Sequence, residues 1–357
     1  MSMRSLAASR LLLTLCLAAV PVVAALALYA ADAGAPAGEE VKAPPRAGEA
    51  FPAGGRIVGV ASICHRSRAS EKEIDALIDA AALDRPDIIL LTEGFMQNTG
   101  PGAPREEKNA RAEPLSGEGP ILTFLARKAR RHRTYIIGST WRKDPEGRGR
   151  FNSAILLDRT GKVVWHYDKV FPTIGEMEDG VLPGRAAGAF DTDFGRIGAI
   201  ICFDLNFSEV LAPCRREGVE LLCFLSAFRG GFRVPALAFR NQCFVASSVP
   251  GENGVIVDPL GRVLAESSHY GRTIFERINL DCRVAHIDYN HRRIGDLKAR
   301  YGPLVQVETF SPEAVYLISS LHPQRRVGKM MAEFDIEPYD AYLDRARGVR
   351  KEYLPAE

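Results

Sequence analysis

Cysteine is scarce in this chain, with 7 in 357 residues, too few for a disulfide-held scaffold. An excess of either charge is also missing. Lys plus Arg total 46 against 44 for Asp plus Glu, a formal charge of +2, and this excludes the strongly basic footprint of a nucleic-acid-binding protein. The composition is 46% hydrophobic and 25% charged, which excludes wholesale disorder and fibrous repeats. No internal repeat is visible. No G-x-G-x-x-G or G-x-x-x-x-G-K-[ST] follows any strand-like run, so nucleotide-binding forms of a parallel sheet lose ground. His132, His166, His269, His286 and His291 fall into no H-x-x-E-H or H-E-x-x-H spacing and there is no C-x-x-C, so no metal site is expected.

Long hydrophobic runs are lacking as well, with one exception. Arg4 and Arg10 precede an almost charge-free stretch from Leu11 to Ala31, the order of a secretory signal. Small residues around Ala31 to Ala33 offer a cleavage site, while a length of about 20 residues also suits an uncleaved membrane anchor. Residues 1–33 are therefore expected to be a signal peptide or an N-terminal anchor, making the protein exported or membrane-tethered. Residues 34–55, rich in Ala, Pro and Gly, read as a linker. Removing residues 1–50 takes away Arg4, Arg10, Lys42 and Arg46 together with Asp32, Glu39, Glu40 and Glu49, so the body keeps the same small charge.

The body alternates strand-like and helix-like patterns. RIVGVAS at 56–62 is a β-rich run. Ser70 and Glu73 form a possible capping box ahead of Ile74, Leu77, Ile78 and Ala81 at helical spacing. DIILLTE reads as a buried strand, Pro120 opens a second helix, and TYIIGS follows as a strand. SAILLD and KVVWHY make a hairpin around Thr160-Gly161. RIGAIIC and VELLCFLS are further apolar runs separated by a short helical segment, and Pro235 starts another helix. GVIVDPLGRVLAE is two strands around a turn. The interleaving predicts an α/β domain over 56–300. A doubly wound sheet fits, and the consecutive hairpins suggest instead a mixed sheet or two sheets packed between helices. Residues 301–357 read as a C-terminal extension, with helix or an extended arm near Asp340 to Tyr353.

Three polar residues end or follow apolar runs: Glu93 after IILLT, Lys169 after VVWHYD and Cys202 after IGAII. Singly, each has an ordinary explanation as a buried thiol or a solvated strand end. Together they suggest a site, because strand ends of α/β proteins are where sites assemble. A carboxylate could take the thiol proton, and an ammonium group could stabilise the thiolate and the oxyanion formed on carbonyl attack.

ILLTEGF, DKVFPTIGEMEDGVLPG and GAIICFDLNFSE, in that order, resemble the three signature segments of the nitrilase, or carbon–nitrogen hydrolase, superfamily, over residues 55–295. FRNQCFVASSV and VIVDPLGRVLAE are similar to two supporting segments. The resemblance implies an α-β-β-α sandwich, with two mixed sheets between helical layers. It implies Glu93 as general base, Lys169 as the cation supporting the tetrahedral intermediate, and Cys202 as nucleophile, with the Phe203 amide completing an oxyanion hole. Glu176 would position substrate or Lys169, in preference to Glu178. The substrate implied is a small non-peptide amide, ranked above an N-carbamoyl compound and a nitrile, the implied reaction needs no metal and no organic cofactor, and a homo-oligomer built from sheet-to-sheet dimers with C-terminal arms is implied too. A catalytically dead binding or assembly module is the alternative of a different class.

The chain departs from the family pattern after the nucleophile. Asn206 stands in place of Arg, as in the aliphatic-amidase branch, Ser208 in place of Pro, suited to a helix N-cap, and Arg240 where an acidic residue often precedes the Asn. These changes bear on substrate class. A papain-like pairing of Cys202 with His286 is left open by spacing alone. RKARRHR at 127–133 reads as the solvated face and end of a helix, or as a place for an anionic partner. Cys223 and Cys243 read as buried thiols.

Overall fold

The computed structural model describes residues 54–97, 99 and 102–355. The expected signal or anchor at 1–33 and nearly all of the linker lie outside these residues. Among the described residues no helix is long and apolar enough to cross a membrane.

Five strands open the chain: β1 (Ile57–Ile63), β2 (Ile88–Glu93), β3 (Tyr135–Lys143), β4 (Arg150–Leu157) and β5 (Val163–Asp168). Next come β6 (Ala189–Asp191), β7 (Arg196–Ile201), β8 (Leu221–Leu225), β9 (Phe244–Ser248), β10 (Val255–Val257) and β11 (Val263–Glu266). The last four are β12 (Thr273–Asn279), β13 (Cys282–His286), β14 (Val305–Phe310) and β15 (Val315–Ser320). They form two six-stranded sheets, ordered β12-β1-β2-β3-β4-β5 and β11-β10-β9-β8-β7-β6, and a three-stranded sheet β13-β15-β14. Both large sheets are mixed. β1, β2 and β3 run parallel, as do β7, β8 and β9, and antiparallel strands complete each sheet. The parallel centres are the apolar Ile, Leu and Val runs, since a strand buried on both faces has no solvated side to alternate toward.

The two large sheets share one core. Val58, Val60, Ile88, Leu90 and Leu156 of the first pack in one cluster with Ala199, Ile201, Leu222, Phe224 and Val245 of the second. The alternate residues Ala61, Ile63, Ile89, Leu91 and Ile155 meet α1 (Glu71–Ala81) and, after the short α2 (Arg105–Ala110), α3 (Pro120–His132) through Ile74, Ile78, Leu122 and Leu125. Beyond α4 (Ile174–Glu178), α5 (Ser208–Arg216) and α6 (Arg233–Asn241) bring Val210, Cys214, Val234 and Leu237 to the core of the second sheet. The result is the α-β-β-α sandwich. The capping box at Ser70 and Glu73 forms as the sequence predicts.

Three local expectations change. Ser208 does not cap α5. It is the first helical residue, Phe207 occupies the cap position, and the Ser208 hydroxyl turns to Glu209 at 3.2 Å. The basic stretch 127–133 is not wholly solvated either. Lys128 is 2% exposed, because α3 packs on α1 and its ammonium lies between Asp75 at 2.5 Å and Asp79 at 2.8 Å. The segment beyond 300 shares a sheet with residues before it, since β13 pairs with β15. α7 (Ile294–Tyr301) and α8 (Val327–Glu333) cover this sheet through Leu297, Tyr301, Met330 and Met331. The stretch near Asp340 to Tyr353 is helical, α9 (Tyr339–Glu352).

Candidate active site

Strand ends from both large sheets meet at one place. β2 is apolar from Ile88 to Leu91 and ends in Thr92 and Glu93, and the chain then turns at Gly94, whose φ of +62° suits glycine. β5 leads out of its hairpin into Lys169, whose amide donates to the Asn152 carbonyl of the next strand at 2.8 Å. β7 ends at Ile201. Cys202 follows with a φ of +51° and opens a 3₁₀ turn over Cys202–Asn206. A left-handed conformation at a non-glycine residue costs on the order of 1–3 kcal/mol and persists where the surroundings enforce it.

The structure brings Glu93, Lys169, Glu176 and Cys202 together. The Lys169 ammonium, 1% exposed, donates to Glu93 Oε1 at 3.1 Å and to Glu176 Oε2 at 2.8 Å. Asn152 Nδ2 donates to the same Glu93 oxygen at 2.8 Å and to Glu176 Oε1 at 3.1 Å. The second Glu93 oxygen accepts the Ala227 amide at 2.7 Å. Glu176 also closes a capping box on α4, accepting the Thr173 amide at 2.8 Å. Glu178, two residues further, is exposed.

The electrostatics follow from this packing. Burial pushes the Cys202 thiol up to about 12, the Glu93 carboxylate reinforces the shift through charge and a hydrogen bond, and the Lys169 ammonium offsets it only in part. Burial alone would lower Lys169, but the Glu93 and Glu176 charges outweigh it and hold the ammonium above its ordinary value. Burial would raise Glu176, and Lys169 with the hydrogen bonds from Thr173 and Asn152 keeps it low. The thiol is therefore held in its protonated form, with the Glu93 carboxylate and the charged Lys169 ammonium both acting on it. Such a set can move a proton from sulfur to carboxylate while a fixed positive charge stands ready for an oxyanion.

The Phe203 amide is next after Cys202 in the turn, and the Phe203 ring is 37% exposed, edge-on to Phe207 at 5.2 Å. His286 has a different setting. It lies on β13, stacks on Tyr342 at 4.5 Å, and its Nδ1 accepts the Asp288 amide at 3.0 Å. The groups acting on Cys202 are Glu93, Lys169 and the Ala227 amide. Asn206 bridges, donating to the Phe203 carbonyl at 2.7 Å and accepting from Arg233 at 2.7 Å. The six described cysteines are free, and all but Cys202 are buried, Cys223 and Cys243 included. Sequence reasoning missed Asn152 and Ala227, which bond to Glu93. Neither left a signal in the sequence motifs, since each reaches Glu93 only through the fold.

The sandwich defines the class by architecture, a protein built on the nitrilase fold, with Glu93, Lys169 and Cys202 gathered where its strand ends converge. The carbon–nitrogen hydrolase family profile matches residues 69–284, and the chain belongs to that family. It is 24% identical over 230 residues to the omega-amidase NIT3 of Saccharomyces cerevisiae, covering 57% of this chain and 78% of that one. It is 25% identical over 226 residues to the omega-amidase NIT2 of Mus musculus, covering 56% and 79%. A solved mutant of the Nesterenkonia AN1 amidase shares the fold with a TM-score of 0.54 at 22% identity, over 70% of this chain and 98% of that one.

Proposed function

We propose that the protein hydrolyses small-molecule amides through an acyl thioester on Cys202. The observation that carries this reading is the single cluster in which Glu93 meets both the Cys202 thiol and the Lys169 ammonium. The names of the relatives, omega-amidases and an amidase, support an amide over an N-carbamoyl compound or a nitrile.

In this reading Cys202 Sγ attacks the amide carbon while its proton passes to Glu93. The oxyanion forms against the Lys169 ammonium and the Phe203 amide. The carbon–nitrogen bond breaks as Glu93 returns the proton to nitrogen, and ammonia leaves. Water then gives a proton to Glu93 and attacks the thioester. The carbon–sulfur bond breaks, the acid departs, and the thiol regains the proton. The high thiol value suits this scheme, because proton loss is coupled to attack rather than completed beforehand. Glu176 holds Lys169 in place, and residues 1–33 export or tether the enzyme. N-terminal sequencing of the protein from soluble and membrane fractions checks the last point.

An ammonia-release screen over amides, N-carbamoyl compounds and nitriles tests the proposal. Turnover of at least one small amide that vanishes in Cys202→Ala is the expected result. Undiminished turnover in that variant overturns the mechanism, and turnover confined to nitriles or carbamoyl compounds overturns the substrate class.

A further inference from the structure

Asp204 lies two residues after Cys202, is fully buried, and takes hydrogen bonds from three donors. Its Oδ1 accepts the Phe171 amide at 2.9 Å. Its Oδ2 accepts the Ile201 amide at 2.9 Å and the Tyr167 hydroxyl at 2.7 Å. Tyr167 in turn accepts the Val170 amide at 3.3 Å. These contacts are not spread over the core. Ile201 is the residue before the thiol, and Tyr167, Val170 and Phe171 bracket Lys169. The two segments leave different sheets, β7 from the second and β5 from the first, so a single carboxylate ties the backbone carrying the nucleophile to the backbone carrying the ammonium.

We infer that Asp204 is a positioning residue which, with Tyr167, sets the separation of Cys202 and Lys169, and this rests on the reaction proposed above. A carboxylate is an unfavourable choice for mere filling here. Burial drives its value up to about 6 despite the two amides, the tyrosine and the nearby Lys169, so its charge is disfavoured where it stands. What it gains is geometry, because neither backbone segment can shift without breaking a bond to it. A displacement of about 1 Å at a reacting group can cost on the order of a hundredfold in rate.

The test is alkylation of Cys202 by iodoacetamide, followed peptide by peptide by mass spectrometry, in wild type, Asp204→Asn and Tyr167→Phe. The buried thiols Cys214, Cys223 and Cys243 serve as internal controls for unfolding. Asp204→Asn should slow labelling of Cys202 by at least ~10-fold while those thiols stay protected. A residue needed only for folding gives the opposite, faster labelling throughout. A rate within about twofold of wild type, with the controls protected, overturns the inference. Should Asp204→Asn expose the controls, Tyr167→Phe decides, with a slowing of about threefold or more supporting the role and an unchanged rate overturning it. Failure of the underlying reaction is separately visible, as a wild type in which Cys202 reacts no faster than the buried thiols.

Discussion

Among the described residues two buried lysines, Lys169 and Lys128, each sit between two carboxylates, and they differ in what else stands beside them. Lys169 is 1% exposed and its partners Glu93 and Glu176 have side chains only 10% and 26% exposed. Lys128 is 2% exposed, yet Asp75 and Asp79, both on α1, are 44% and 33% exposed. Around Lys128 the charges are partly solvated, and His132 adds another donor to Asp79 at 2.6 Å. Around Lys169 the charges are enclosed, a thiol stands beside them, and strand ends of two sheets fix the set. A buried ion pair is therefore no sign of chemistry by itself. The sign is a buried pair that also faces a nucleophile.

The same substitution at both positions breaks the comparison most strongly. Lys169→Met should lower amide turnover ~100- to 1,000-fold with the fold intact, read as ammonia release alongside circular dichroism. Turnover near wild type would remove Lys169 from the proposed machinery. The next effect in size concerns Asp204. Its folded value of about 6 lies above the ordinary 3.8, so the folded state keeps a proton that the unfolded chain releases from about pH 4 upward. Its contribution to stability is full below pH 4 and is lost as pH rises to about 6. The unfolding free energy of wild type minus that of Asp204→Asn should fall by on the order of 2–3 kcal/mol between pH 4 and 7, measured by urea unfolding. A difference that is constant or grows with pH contradicts this assignment.

Glu176→Gln comes third. Its neutral amide keeps the shape but removes one of the two charges holding Lys169, and a loss of turnover of ~10- to 100-fold is expected, mostly in kcat. Lys128→Met is smallest. Because Asp75 and Asp79 are partly solvated and screened, it should cost about 1–2 kcal/mol in thermal or urea unfolding and leave turnover within about twofold. Loss of activity there in a folded protein would erase the distinction between the two lysines.

The contrast also marks what could be read from sequence. Glu93, Lys169 and Cys202 each had an ordinary explanation taken singly, as a buried thiol or a solvated strand end, and became legible only together, as three residues at the ends of apolar runs within motifs of matching order. The consecutive hairpins left a doubly wound sheet, a mixed sheet and two packed sheets open, and the α-β-β-α sandwich was legible only through the resemblance of the motifs. Lys128 was not, since its burial depends on α1 lying across α3, which the spacing within RKARRHR does not encode. Asn152 and Ala227 reach Glu93 across 59 and 134 positions of chain, and such partners exist only after folding. Ser208 looked like a cap by residue type, but Phe207 is the residue with the extended backbone at the helix entrance, φ −116° and ψ 116°. Asp204 was visible as a letter in a motif, and its meaning became apparent only with the two backbones it joins.

The central claim is that Cys202 carries the acyl group, and it is tested most directly by mixing the enzyme with its best small amide, quenching in acid within a turnover, and weighing the Cys202 peptide. The account requires that peptide to gain the mass of the acyl group, with no gain in Glu93→Gln or at any other cysteine. Steady ammonia release with an unmodified Cys202 peptide, and equal release by Cys202→Ala, would contradict it.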